Sequence, residues 1–164
     1  MRLLLAFVLT AATAASQVHV RPNAGYDIAY GAPSAGIGLE AGWSVGPAAS
    51  LGLRVSGDAV FVDDLPFAVA FYSDATSEGV GDASVYRLGL EVVGYWDRPG
   101  RLRPYAKAGL VTELERIARP DLEVQSAWTD AVAGLGLEVG RVYLEGTHGF
   151  GDASRRRVAV GVRL

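Results

Sequence analysis

From Val18 to Leu164 the chain repeats with a period of two residues: aliphatic residues fall at one parity and Gly, Asp, Glu, Arg or Ser at the other. Side chains of a β-strand alternate between its faces, so this rhythm predicts strands with one apolar and one polar face. The clearest stretch sets Ile37, Leu39, Ala41, Trp43 and Val45 against Gly36, Gly38, Glu40, Gly42 and Ser44. The same reading gives eight expected strands: Val18–Tyr30, Ala35–Val45, Ala49–Phe61, Ala83–Trp96, Leu102–Glu115, Ser126–Val139, Val142–Phe150 and Arg155–Leu164.

Turn chemistry separates them. Gly31-Ala32-Pro33-Ser34, Gly46-Pro47, Asp97-Arg98-Pro99-Gly100, Gly140-Arg141 and Gly151-Asp152-Ala153-Ser154 are turn signals. Two connections are longer. Arg116–Gln125 is polar, and Val62–Asp82 is acidic with an apolar patch, Phe67–Tyr72. Long and short connections alternate in such a way that the longer ones share one end. Short periplasmic turns with longer outer loops are the rule for bacterial membrane barrels.

The start of the chain bears on the compartment. Met1-Arg2 is a short basic region, Leu3–Thr10 is apolar and Ala11–Ser16 is a run of small residues. Ala12-Thr13-Ala14 fits a small-x-small cleavage site. The expectation is a secretory signal peptide over residues 1–16 and one β-domain over 17–164.

Composition narrows the class. Half of the residues are hydrophobic, yet no later stretch is long and apolar enough for a membrane helix. An exported chain of this kind buries its apolar surface in a core or presents it to lipid as a closed barrel. The absence of Cys excludes disulfides and thiol chemistry. A net charge of −3 supplies no basic field, so nucleic acid is not an expected partner. Lys107 is the sole lysine, an unusual scarcity for a water-soluble surface.

The decisive choice is which face points outward. An apolar interior would make a secreted lipocalin-like carrier; an apolar exterior makes a membrane barrel. Glycine crowds the polar face (Gly36, Gly38, Gly52, Gly89, Gly109, Gly134, Gly136, Gly161), which suits close packing inside a narrow barrel. Aromatics on the apolar face lie near strand ends. Tyr30, Phe61 and Tyr86 are expected at the outer end and Trp43 and Trp96 at the periplasmic end, as interfacial girdles. The expected fold is therefore all-β, an eight-stranded antiparallel up-and-down transmembrane β-barrel.

Arg103-Pro104-Tyr105-Ala106-Lys107-Ala108-Gly109 is similar to a Pro-Tyr-x-x-x-Gly strand opening. Together with the eight strands, it makes the chain resemble the small outer-membrane barrels of the OmpA/OmpX type. The resemblance spans residues 17–164. It implies that the last strand carries a signal for the barrel-assembly machinery, with Arg157, Ala159, Val162 and Leu164 in the signal positions. The family usually has Gly in place of Ala159 and an aromatic in place of Leu164. It also implies outer-membrane lipid as surroundings and both termini in the periplasm.

The polar face carries Arg21, Arg54, Arg87, Lys107, Arg157 and Arg163 with Asp27, Glu40, Asp58, Glu91, Glu113, Asp130, Glu138 and Glu145. Eight strands enclose just enough room for side chains. Charges there must pair, because an unpaired buried charge is costly. These residues are expected to form an interior ion-pair network, and a continuous water-filled pore is not expected.

Candidate chemistry is sparse. Some barrels of this size are lipid A acyl hydrolases, and His148 has Glu145 and Ser154 nearby in sequence. A triad needs base, nucleophile and orienting acid within hydrogen-bond reach. His148 lacks the His-x-Ser phrase of those hydrolases, and parity puts it on the opposite face from Glu145. The acidic 62–82 segment lacks the spacing of a calcium loop. The reading is a non-enzymatic barrel without cofactor, acting structurally or through outer loops on an unidentified partner. A soluble carrier of apolar ligands and a lipid A hydrolase are the alternatives.

Overall fold

The computed structural model describes residues 17–62, 82–97, 101–118, 123–151 and 156–164. The expected signal peptide, most of the 62–82 segment and its Phe67–Tyr72 patch lie outside these residues. Eight strands form in chain order: β1 (Gln17–Asp27), β2 (Ala32–Gly46), β3 (Ala49–Val60), β4 (Asp82–Trp96), β5 (Leu102–Ala118), β6 (Glu123–Val139), β7 (Val142–Gly149) and β8 (Arg156–Val162). Each pairs antiparallel with the next, and β8 returns to β1, so the sheet closes on itself. Closure gives every strand a neighbour on each side, the condition for a sheet to stand in lipid.

The two mouths differ. At one end lie the β2–β3, β4–β5 and β6–β7 connections with Gln17 and Leu164; we call this the near mouth. At the far mouth lie the β1–β2, β3–β4, β5–β6 and β7–β8 connections. The β6–β7 hairpin is tight because Gly140 takes φ +65°, which L-residues with side chains rarely adopt. Closure is shortest at the seam, where β1 and β8 pair from Asn23↔Gly161 to Asp27↔Arg157. Leu164 and Val20 extend it with two backbone hydrogen bonds, 2.9 and 3.2 Å. Pro22, lacking an N–H, lies between these two sets of pairs.

Period two decides the faces. Ile37, Leu39, Leu88, Leu110, Leu135 and Val160 are among the many large apolar side chains exposed on the outside, and Leu135 is 71% exposed. Arg21, Glu40, Arg54, Glu91, Glu113 and Glu145 are buried inside. An apolar exterior around a charged interior is the reverse of a water-soluble barrel and is the form of a transmembrane one.

The first hairpin departs from the sequence reading. The turn occupies residues 28–31, with Gly31 at φ +62°, and Ala32, Pro33 and Ser34 already belong to β2. The turn interrupts the parity that Tyr26 and Ile28 follow, so Tyr30 is not on the outer girdle. It folds into the far mouth, 8% exposed, and its backbone N–H donates to Asp27 Oδ1 at 3.0 Å. β5 and β6 also pair further than their apolar alternation, through Arg116↔Gln125 to Ala118↔Glu123.

Candidate functional site

The interior is filled by charge in three tiers. The middle tier joins strands from opposite sides. Arg54 on β3 reaches Glu145 on β7 at 2.6 Å and Glu40 on β2 at 2.9 Å. Lys107 on β5 reaches Glu145 and Glu91, both at 2.6 Å, and Glu91 lies 3.9 Å from Arg54. Tyr105 donates its hydroxyl to Glu145 at 2.9 Å. One lysine and one arginine thus hold three carboxylates, each buried charge meeting more than one partner. A buried charge left without partners would cost several kcal/mol.

The near tier is built around Arg21 and Glu138. Arg21 Nη1 lies 2.5 Å from Glu138 and 3.0 Å from the Tyr95 hydroxyl, and its guanidinium carbon is 4.2 Å from the centre of the Tyr143 ring. Tyr95 in turn donates to Glu40 at 2.5 Å. Arg103 stacks on Tyr95 at 3.9 Å and bonds Asp97 and Ser50, each at 2.5 Å. Glu138 also has Arg163 at 3.4 Å and Arg103 at 3.5 Å. Asp97 lies just beyond β4. Partial burial pushes its carboxyl up, and hydrogen bonds from Arg103 and Ser50 outweigh this, holding it below the usual carboxylate range.

The far tier has two parts. Arg87 holds Asp27 at 2.5 Å and Glu113 at 2.6 Å, and the Tyr30 hydroxyl lies within hydrogen-bond reach of Glu113 and Glu115. Arg157 reaches Asp58 at 2.8 Å, Asn23 at 2.5 Å and Ser34 at 3.1 Å. Above them Tyr30, Ala32, Val60, Val62 and Val85 form a small apolar cluster.

Two spaces flank the middle tier. Toward the far mouth a cavity of about 60 Å³ is lined by Arg87, Asp27, Asp58, Asp130, Arg54 and Lys107, among others. That is enough to hold water, which needs roughly 10–15 Å³ per molecule on this measure. Toward the near mouth a polar vestibule of about 370 Å³ is lined by His19, Ser50, Tyr95, Asp97, Arg103 and Arg163, among others. The Arg54–Glu40 contact separates the two.

The structure therefore gathers Arg54, Arg87, Lys107, Arg157, Arg163, Glu40, Asp58, Glu91, Glu113, Glu138 and Glu145 in one interior, with Asp130 on the wall of the far cavity. The sequence reading left out Arg103, Asp97 and the phenols of Tyr95, Tyr105 and Tyr143. Parity put these tyrosines inside; their role as hydrogen-bonding and stacking partners had no sequence signal. Phe61, Tyr86 and Trp96 are exposed at the strand ends, and Trp43 is half-buried. In the last strand Arg157 and Ala159 face inward, and Val162 and Leu164 outward.

No triad assembles among the described residues. Glu145 is buried inside and bound to Arg54 and Lys107, whereas His148 is on the outer face with Phe150 edge-on at 4.9 Å. Ser154 lies outside the described residues. No three described His, Asp or Glu side chains are grouped as metal ligands.

The chain matches no protein-family model and no curated protein sequence. Its fold is similar to solved outer-membrane barrels. Neisserial surface protein A aligns over 90% of this chain and 96% of its own, at TM-score 0.59 and 14% identity. The N-terminal β-barrel domain of Pseudomonas aeruginosa OprF aligns over 90% and 96%, at 0.55 and 17%. Ail, the attachment invasion locus protein of Yersinia pestis, aligns over 90% and 95%, at 0.52 and 9%. At these identities the likeness speaks for the fold: the chain has the architecture of the small eight-stranded outer-membrane β-barrels.

Proposed function

We propose that this protein is a non-enzymatic integral barrel of the outer membrane, with both termini in the periplasm and the far mouth at the cell surface. The carrying observation is the inside-out distribution of residues: a largely apolar exterior over a paired, charged interior. A soluble carrier requires the reverse, and the interior spaces are lined by charged side chains that do not match an apolar ligand. The middle tier closes the lumen, so the barrel acts as an anchor and not as a conduit. Its specific role belongs to the far-mouth connections, the longest of which is residues 61–81 between β3 and β4. Names such as neisserial surface protein and attachment invasion locus protein describe those proteins and lend direction to a surface-interaction reading. The exposed outer face has lipid as its partner, and the β8 residues serve insertion by the assembly machinery.

The test is cell fractionation followed by gel migration before and after boiling. The reading requires a detergent-dependent membrane fraction and two mobilities. Release into aqueous buffer with one mobility would overturn it. Protease shaving of intact cells, followed by mass spectrometry, then checks the topology: cleavage should fall within residues 61–81 and spare the near-mouth turns.

A further inference from the structure

At the far mouth the outer face carries a cation, Arg156, whose chemistry the described residues do not answer. Arg156 opens β8 and shares its face with Val158, Val160 and Val162, all exposed in the apolar belt. Its neighbour Arg157 points inward and is bound to Asp58, Asn23 and Ser34. Arg156 has no such partner: among the described residues no side chain or carbonyl accepts from its guanidinium. The backbone beneath it is fixed, because its carbonyl accepts from Ile28 N at 2.8 Å and its register partner on β7 is His148.

Two donors face each other there on the outer face. His148 lies directly across from Arg156, and its ring is braced edge-on by Phe150, which is 65% exposed. One residue pair deeper, Tyr26 sits opposite Val158 with its ring exposed. The arrangement is a guanidinium and an imidazole at the upper margin of an apolar belt, flanked by Ile28 and Phe150. Arginine at such a margin extends its head to the headgroup layer while its stem stays on apolar surface. Guanidinium pairs with phosphate through parallel N–H···O bonds, and bilayer phosphate lies at that depth.

We propose that the outward face of β7 and β8 at the far mouth binds the phosphate of an anionic lipid headgroup through Arg156 and His148. This rests on the transmembrane reading above. A lipid, as opposed to a free anion, is the occupant because the same face continues without a break into Val158, Val160 and Leu144, a surface for acyl chains.

The experiment uses the full chain folded into phosphatidylcholine nanodiscs doped with phosphatidic acid, with retained lipids counted by native mass spectrometry. The wild type should retain phosphatidic acid over phosphatidylcholine. Arg156→Gln should weaken retention about fivefold, the worth of one basic residue at an anionic surface, and adding His148→Ala should abolish the preference. Arg141→Gln, an exposed cation at the near mouth, should change nothing. Gel migration before and after boiling shows that each variant is folded. A folded wild type without preference, unchanged retention in Arg156→Gln with His148→Ala, or equal loss in Arg141→Gln would each overturn the site. Displacement of the lipid by millimolar inorganic phosphate would overturn the lipid assignment in favour of a small-anion site. Failure to enter the nanodisc as a folded barrel would instead overturn the membrane reading on which it rests.

Discussion

Arg54 and Glu145, separated by 91 residues, meet at 2.6 Å in the middle of the barrel. They come from β3 and β7, four strands apart in a closed ring of eight, so the pair spans the lumen. Both are buried, and Lys107 shares Glu145 with Arg54. Removing one member leaves charge without its counter-ion, which typically costs about 3–5 kcal/mol. Glu145→Ala should therefore lower stability by about that amount. Arg54→Met with Glu145→Leu should recover much of the loss, because well-packed apolar residues can replace a buried ion pair. Urea unfolding in liposomes, followed by tryptophan fluorescence, gives both values. Equal stability of Glu145→Ala and wild type would show that the pair is not coupled to folding.

Arg54 and Glu145 line the 60 Å³ far cavity, and the contact of Arg54 with Glu40 separates it from the 370 Å³ near vestibule. Wild-type protein in a planar bilayer should show no sustained conductance. Arg54→Ser with Glu145→Ser removes one positive and one negative charge together and shortens both side chains. It should join the two spaces and give small, stable current steps. A silent double variant would mean that the near and far tiers also seal the lumen.

How far the chain was legible follows from what period two encodes. Parity alone sends Arg54, Glu91 and Glu145 to one side of the sheet and Leu88, Leu110 and Leu135 to the other, because a strand offers no third direction. It does not say which charges meet. Arg54 finds Glu145 only through strand register and the diameter of the closed ring, and neither is written locally. Tyr30 fails for another reason. The positive φ of Gly31 sets the turn at residues 28–31, earlier than the Pro33 signal implies, and parity does not carry through a turn. The sequence reading did not single out Arg156, because its lack of a partner among the described residues emerges only when the neighbouring strands are in place.

Gly136 tests the packing of the interior. The Tyr105 ring lies over it, and a Cβ at this position would overlap the ring. Tyr105 cannot swing away freely, because its hydroxyl is bound to Glu145 and its ring packs on Tyr95 at 5.2 Å. Gly136→Ala should cost about 1–3 kcal/mol, the range for overpacking. Gly46→Ala, where a Cβ would meet nothing within 4 Å, should be close to neutral. Comparing the two midpoints in urea separates crowding from a general intolerance of alanine for glycine.

The outer belt gives the sharpest contrast between a barrel in lipid and one in water. Leu110 is 55% exposed at the middle of β5, beside Leu88 and Val92 of β4. In water, an arginine at so open a site would meet solvent and change stability by no more than about 0.5 kcal/mol. At the midplane of a bilayer the same substitution costs about 2–4 kcal/mol, because the charge must be drawn out of hydrocarbon. Leu164, at the end of the chain beside the near mouth, provides the internal control. Arginine there reaches the interface, where the cost falls to about 0–1 kcal/mol. Folding of Leu110→Arg and Leu164→Arg into liposomes, measured by urea titration, should therefore give unequal losses, with Leu110→Arg the larger. Equal and negligible losses would mean that the exposed leucines do not face lipid.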